Sequence, residues 1–413
     1  MSARGRHLLE GGARFAHGGG RLAKLVAPLF ARVLERVDQG LAEGQIIATL
    51  PDGRQRLLGG RIAGPTAIVR LNSWMALVRL ARSGSVGWYV AWERGEWASP
   101  DPVPLFDLFM RNRRPLGMTA RASGLSRLLN RMLHSGRAND RAGSRRNIAA
   151  HYDLGNDFYT AWLDHGMSYS SAVWGEGDCL ERAQTRKVEV LLDRLELKPG
   201  QRLLDIGCGW GAVLDAAAAR GVQPVGITLS EQQRDYARGR LAERAEVRLL
   251  DYRDVEEQFD AIASVEMLEA IGERHWNQWL ATVDRLLVPG GRVALQFIVI
   301  ADDIWERYAA SADFIQTYVF PGGQLLSLSR FRALAERHGF AWRDEYSFGL
   351  DYARTLAEWR RRFEQAVAKR RLPGGFDERF VRLWRYYLMY CEGGFLGRGI
   401  DVVQVTLEKG RTT

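Results

Sequence analysis

The sequence predicts an α/β protein: a doubly wound, mostly parallel Rossmann-like sheet with a smaller, basic N-terminal α+β domain. Three observations predict it. From about residue 187 onward, short β-type runs alternate with helical patterns of roughly 10–15 residues, the spacing of crossover connections in a parallel sheet. A glycine-rich turn, Gly207-Cys208-Gly209-Trp210-Gly211, follows one such run and opens a helix. Before residue 150 both texture and charge differ. At 413 residues the chain exceeds one ordinary domain, and 46% hydrophobic with 26% charged residues excludes a fibrous or disordered class.

Residues 1–20 are rich in Gly and Arg and are expected to be loosely ordered. From Arg21 to about Ala42, Leu22, Leu25, Val26, Leu29, Phe30, Val33, Leu34, Val37 and Leu41 recur at helical spacing opposite Arg and Lys. Two readings fit this helix: packing onto its own domain, the better supported, or lying on a lipid surface. The runs QIIATL (45–50), AIVRL (67–71) and GWYVAWE (87–93), separated by PDG and SGS, predict a small sheet. After DPVPLFDLF, residues 111–146 hold ten Arg and one acid, Asp140, and read as a basic connector. The expected division is therefore 1–110, a connector at 111–146, and a larger domain at 147–413.

In that larger part, strands are predicted at 202–207, 224–230, 247–254, 259–267 and 292–300. Helices are predicted at 211–221, 231–244 and 275–291, the last stopped by Pro289-Gly290-Gly291.

The net charge of +9 is uneven: residues 1–150 carry 24 basic and 10 acidic groups, the remainder 34 and 39. A basic front end suits a polyanion, either nucleic acid or anionic membrane. Three scattered cysteines (Cys179, Cys208, Cys391) form no disulfide or zinc pattern, so no metal is expected and a reducing cytoplasm is the default. No apolar run reaches bilayer-spanning length and no signal peptide is visible, so any membrane contact is expected to be peripheral.

At the glycine turn, Gly207, Gly209 and Gly211 let the backbone turn tightly and let a ligand approach closely. Asp205, just before it, suits an ammonium or a bound water. G-x-G-x-x-G and the Walker Lys-Ser/Thr pair are both absent, so the ligand need not be a pyrophosphate. The next strand ends offer Thr228 with Gln233, then Asp251 for an exocyclic amine and Tyr252 to cover a purine. Three successive strand ends form a crevice suited to a nucleoside with an amino-acid tail, S-adenosylmethionine. At each position a plain turn or core role is the alternative.

His151–Phe158, Met167–Trp174, LLDIGCGWG, GITLSEQQ, the segment around Glu269 and Phe320-Pro321-Gly322-Gly323 occur in one order. With SFGLDYARTLAEWRRRFEQA and WRYYLMYCEGGF, they resemble the cyclopropane-fatty-acyl-phospholipid synthases over roughly residues 140–408. The resemblance implies a methyltransferase acting on the cis double bond of membrane-bound acyl chains. It implies Tyr169 and Ser170 at the methionine end of S-adenosylmethionine with Gly207 and Gly209 beneath, Thr228, Leu229 and Gln233 at the ribose, and Asp251 and Tyr252 at the adenine.

An alkene cannot be activated by deprotonation, so positioning and desolvation must carry much of the reaction. Its attack on a sulfonium methyl leaves a carbocation, which needs a nearby anion to stabilise it and collect a proton. The resembled family uses bicarbonate, held by a Cys backbone, a Glu, a His and a Tyr. Here the Glu matches Glu269, while Ser171 stands at the Cys position, Gln296 at the His position and Arg360 at the Tyr position. Glu266 replaces a usual Gly and Ala270 a usual His, which makes bicarbonate doubtful. Glu266 is expected to occupy the bicarbonate space and supply the anion, unless it turns outward or pairs with Arg360. Two carboxylates in one pocket would raise one pKa, with Arg360 offsetting their charge. Ile304–Phe320, dense in aromatics, is expected either to line an acyl channel or to form core.

The expected setting is cytoplasmic, peripheral to the inner membrane face, on phospholipids with unsaturated acyl chains. A homodimer through the N-terminal region and a partner oxidoreductase are compatible with the resemblance. A nucleic-acid methyltransferase also fits the basic front end, but no base-flipping or RNP1 signature supports it. A non-catalytic lipid-binding protein is the third reading. Cyclopropane, methyl-branched, methylene and furan-type products stay open.

Overall fold

The structure is a computed structural model that describes residues 4–10, 27–116, 154–310 and 312–410. Most of the Arg-rich connector and His151–Asp153 lie outside these residues, as do Arg21–Val26 at the start of the first expected helix. The chain forms two compact units. One comprises Met1–Arg137, Glu306–Pro321 and Gly374–Ile400, the other Ala138–Trp305, Gly322–Pro373 and Asp401–Thr413.

In the first unit, β1 (Glu43–Thr49) pairs antiparallel with β2 (Gln55–Gly59) and parallel with β3 (Ile62–Leu71); β3 pairs antiparallel with β4 (Trp97–Ala98). Helix Ala27–Gly40 buries Phe30, Leu34 and Val37, and Phe30 stacks on Trp74 with centroids 5.1 Å apart. That apolar stripe is core, the first of the two readings above. The expected strand GWYVAWE is instead the second half of helix Met75–Glu93, which kinks at Gly84 (φ 57°). Its run Val86–Ala91 is buried on all sides, so its sequence carries no periodicity to separate strand from helix. Much of the Ile304–Phe320 stretch belongs to this unit as core: Phe314 and Tyr318 pack on Tyr89 at 4.9 and 4.6 Å.

Helix Glu378–Leu396 crosses helix Val103–Arg111 at glycines. A Cβ on Gly393 would lie 2.4 Å from the Phe106 Cβ, and one on Gly397 would lie 2.6 Å from the Met110 Cβ.

The second unit holds a seven-stranded sheet in the order β10-β11-β9-β8-β5-β6-β7. Its strands are β5 (Arg202–Ile206), β6 (Gln223–Thr228), β7 (Glu246–Leu249), β8 (Phe259–Val265), β9 (Leu287–Ile300), β10 (Phe340–Ser347) and β11 (Ile400–Lys409). Strands β5 to β9 pair in parallel and β10 runs antiparallel to β11. This is the doubly wound sheet expected. The expected Pro-Gly-Gly stop is instead part of β9: helix Trp276–Leu286 ends first, and Gly290 (φ 75°) bends the strand. Strand β7 is shorter than expected because Asp251 caps a 3₁₀ turn at Tyr252–Asp254.

The chain leaves β5 for β6 on one side and later places β8 on the other, so a crevice opens at the carboxyl ends of β5, β6 and β8. No helix among the described residues is long and apolar enough to cross a membrane.

Gly393→Ala should destabilise the first unit by about 1–3 kcal/mol, since the added carbon meets backbone and has nowhere to move. Chemical denaturation measures this; an unchanged midpoint would refute the close crossing.

Candidate active site

The glycine turn takes the shape its residues predict. Gly207, Gly209 and Gly211 have φ of 84°, 53° and 90°, and the amides of Gly207 and Cys208 both donate to the Ile227 carbonyl at 3.0 Å. A Cβ added to Gly209 would meet no atom within 4 Å, so this turn borders open space. Asp205, at the end of β5, is buried, and burial pushes its carboxyl up to about 7 against the pull of Lys187. No hydrogen bond to its carboxylate is found among the described residues.

Around this turn stand the other residues expected to hold a nucleoside. Tyr169 sits among aromatic rings, 5.4 Å from Tyr159, 5.8 Å from Trp162 and 5.3 Å from Trp359. The Ser170 hydroxyl accepts from Lys187 Nζ at 2.8 Å. Thr228 and Gln233 are buried and bonded to each other, Oγ1 donating to Oε1 at 2.7 Å, with Leu229 half-buried between them in the chain. Both Asp251 oxygens already accept from Arg253, Oδ1 from Nε at 2.8 Å and Oδ2 from Nη2 at 2.6 Å. The described partner of that carboxylate is thus an arginine, which sequence reading did not foresee. Tyr252 is nearly buried, its hydroxyl pushed up to about 12 by desolvation.

The second cluster lies at the ends of β8 and β9. Glu266 follows β8 with φ 50°, a left-handed backbone that suits glycine and costs a glutamate roughly 1–2 kcal/mol. The strain is held by a ladder bond and by the side chain: Glu266 N donates to the Gln296 carbonyl at 2.7 Å. The residue is half-buried, and its carboxylate accepts three hydrogen bonds. The Ser171 amide and Gln296 Nε2 donate to Oε1, both at 2.8 Å, and the Tyr352 hydroxyl donates to Oε2 at 2.7 Å. Gln296 is oriented by Gln404 on β11, whose Nε2 donates to Gln296 Oε1 at 3.0 Å. Of Ser171, the backbone does this work; its hydroxyl donates to the Ala172 carbonyl.

Glu269 is buried beside it. One oxygen accepts from the Ile298 amide, and Oε2 is buried without a partner. Burial, and then the negative charge of Glu266, push its carboxyl up to about 8. Burial also raises Glu266, against the three donors and Lys187. Of the two, Glu269 holds a proton more readily, because Glu266 has more donors to its carboxylate.

Ser171, Glu266, Gln296 and Glu269 come together as expected. Arg360 lies on helix Gly349–Ala368, but the residue that this helix delivers to Glu266 is Tyr352, two turns earlier. The buried stripe Tyr352, Leu356, Trp359, Phe363 follows helical spacing, and Arg360 falls beside it. A cation whose field reaches Glu266 is Lys187. Lys187 was detectable as the one charged residue on the apolar stripe of helix Leu180–Asp193.

Residues 139–405 match the family model described as mycolic acid cyclopropane synthetase. The chain is 37% identical over 361 residues to the tuberculostearic acid methyltransferase UfaA1 of Mycobacterium tuberculosis, covering 80% of each chain. It is 40% identical over 264 residues to the cyclopropane-fatty-acyl-phospholipid synthase of Escherichia coli K12, covering 63% of this chain and 67% of that one. Among solved structures it resembles the cyclopropane synthase MmaA2 from Mycobacterium tuberculosis, with TM-score 0.60 and 31% identity over 64% of this chain and 98% of the other. The mycolic acid cyclopropane synthase CmaA1, complexed with SAH and CTAB, gives the same values.

Glu269 binds its proton more tightly folded, about 8, than at the ordinary value of 4.5. The stability it contributes is full below about 4.5 and is lost as pH rises through about 8. Glu269→Gln should flatten this fall, leaving the smaller slope from Asp205. Thermal unfolding at several pH values between those limits tests it; a slope equal to wild type would refute the assignment.

Proposed function

The chain belongs to the mycolic acid cyclopropane synthetase family, and from that premise we propose that it transfers a methyl group to the double bond of a phospholipid acyl chain and releases a methylene-branched product. It is an S-adenosylmethionine-dependent methyltransferase of the cyclopropane fatty acid synthase type. One observation carries the finer reading: the Glu266 carboxylate sits fixed by Ser171, Gln296 and Tyr352, in the role that a diffusible anion would otherwise fill.

The cofactor's fit rests on the open space in front of Gly209 and on the Asp205 carboxylate, which has no hydrogen bond of its own among the described residues. Asp205 and Ser170 would hold the amino-acid end, Thr228, Leu229 and Gln233 the ribose, and Tyr252 the adenine face. When bound, S-adenosylmethionine supplies an electrophilic methyl on a sulfonium. The protein must then manage the cation left on the acyl chain. Glu266, ionised and shielded from water, stabilises that charge electrostatically. A hydride shift toward the first cationic carbon moves the charge to the methyl-bearing carbon. Loss of one methyl proton to Glu266 then gives an exocyclic methylene. Glu269, protonated at neutral pH, leaves Glu266 as the only basic carboxylate in the pair. Reduction of the methylene to a methyl branch would need a separate oxidoreductase.

A cyclopropane is the second reading, favoured by the family name; it requires the same methyl proton to leave before the hydride moves. In this scheme the basic residues before about 110 and the Arg-rich connector dock on anionic phospholipid, with residues 147–413 acting on the acyl chains.

The protein should be expressed in a host lacking cyclopropane lipids, fed isotopically labelled methionine, and its fatty acids analysed by mass spectrometry and NMR. Labelled vinylidene protons are expected; cyclopropane ring protons alone would overturn the methylene product. Glu266→Gln should lower methyl transfer about 100-fold or more, as expected for loss of a general base. Binding to anionic vesicles should weaken as salt rises, because Lys and Arg contacts to headgroups are screened; cosedimentation indifferent to salt would refute the docking role.

A further inference from the structure

Lys187 is a buried cation close to the site that takes no part in the steps above. Lys187 projects from helix Leu180–Asp193 into the interior of the second unit and is only 2% exposed. Burying an ammonium is costly unless charge and hydrogen bonds compensate it. Its one described hydrogen bond is to a neutral acceptor, Ser170 Oγ at 2.8 Å. The negative groups whose fields act on it are Glu266, Asp164 and Asp205, in falling order of effect.

Two of these are compensated elsewhere or discharged. Asp164 accepts the amides of Gly166 at 2.7 Å and Ser168 at 2.9 Å, and burial holds its carboxyl above the ordinary range. Asp205 is pushed up to about 7. Burial raises the carboxyl of Glu266, and three formally neutral donors oppose that rise: an amide, a carboxamide and a phenol. Neutral donors lower the cost of a negative charge without cancelling it, and the cation whose field acts on this carboxylate is Lys187.

The backbone links the two ions. Lys187 holds Ser170, and the next residue, Ser171, donates its amide to Glu266. Gln404 bonds both the Lys187 carbonyl, at 3.4 Å, and the Gln296 side chain that faces Glu266.

We propose that Lys187 is the counter-ion of Glu266, a positioning residue that keeps this carboxylate ionised while leaving its oxygens to Ser171, Gln296 and Tyr352. A cation in direct contact would compete for the oxygen that takes the proton. A cation one residue removed supplies the field without occupying that oxygen. The proposal rests on Glu266 as the anion of the site, but not on which product forms. The groups that face the pair are Asp164 and Asp205 around Lys187, and Tyr352 and Glu269 around Glu266.

A double-mutant cycle on the full, ligand-free chain tests this without activity. Lys187→Met, Glu266→Gln and the double variant are unfolded with denaturant at neutral pH and at an acid pH low enough to protonate carboxyl groups. The two substitutions should be non-additive at neutral pH and additive at the acid value; additivity at both overturns the proposal. Lys187→Gln, which retains a donor for Ser170, replaces Lys187→Met if the latter does not fold. In the second arm, methyl transfer to vesicles of unsaturated phosphatidylglycerol is followed against pH. The acidic limb of Lys187→Gln should move up by about one pH unit, a tenfold change, and Lys187→Arg should restore it. A rate lowered equally at every pH marks a merely structural lysine and overturns the proposal. Wild-type protein without methyl transfer would refute the proposed function, and the unfolding cycle would still decide the role of Lys187.

Discussion

The site is organised around one buried carboxylate. Glu266 is half-buried, its carboxylate held among protein donors, and an ion withdrawn from bulk water needs donors or charge around it. Those donors come from distant parts of the chain: Ser171 from the loop before helix Leu180–Asp193, Gln296 from β9, and Tyr352 from the helix Gly349–Ala368. Gln404 on β11 then fixes the amide of Gln296. The anion therefore ties together β8, β9, β11 and two peripheral segments that share no ladder with β8. Removing Tyr352 would take from Oε2 its described donor, whereas Oε1 would keep one of its two if either Ser171 or Gln296 were lost.

The same arrangement separates two carboxylates three residues apart. Glu266 has three donors and Glu269 has one, with its second oxygen unpaired. Equal burial thus yields unequal acidity, and the pair divides into an ion and an acid. A site that must stabilise a cation and then accept a proton needs that division. Two ionised carboxylates would repel, and two protonated ones would offer no base.

Much of this was legible in the sequence. Alternating runs and the glycine turn sufficed for the sheet, and Glu266, Glu269, Gln296 and Ser171 could be grouped before any coordinates existed. What failed did so for local reasons. GWYVAWE is buried on every side, so its pattern has no period and strand could not be separated from helix. Pro289-Gly290-Gly291 reads as a stop, yet β9 runs through these residues with a shift of register against β8. Tyr352 lay outside the motif positions that the resemblance supplied; helical spacing puts it on the buried stripe with Leu356, Trp359 and Phe363, with Arg360 beside that stripe. Asp251 looked available because its partner, Arg253, is two residues away, and sequence carries no sign of which way such a side chain folds.

The backbone at Glu266 shows why the substitution matters chemically. At φ 50° a glycine would be at ease and would leave the pocket free for an anion from solution. A glutamate accepts the strain and fills that volume with a carboxylate that cannot diffuse away. Such a tethered base loses no translational entropy on binding and keeps its oxygens aimed. It also cannot leave with its proton, so each turnover must return that proton to solvent through the protein. With Glu269 already protonated, the neighbouring carboxyl cannot serve as the first acceptor unless it first gives up its own proton. In the proposed scheme the pH range of activity is then governed by this coupled pair, and not by the concentration of an ion outside.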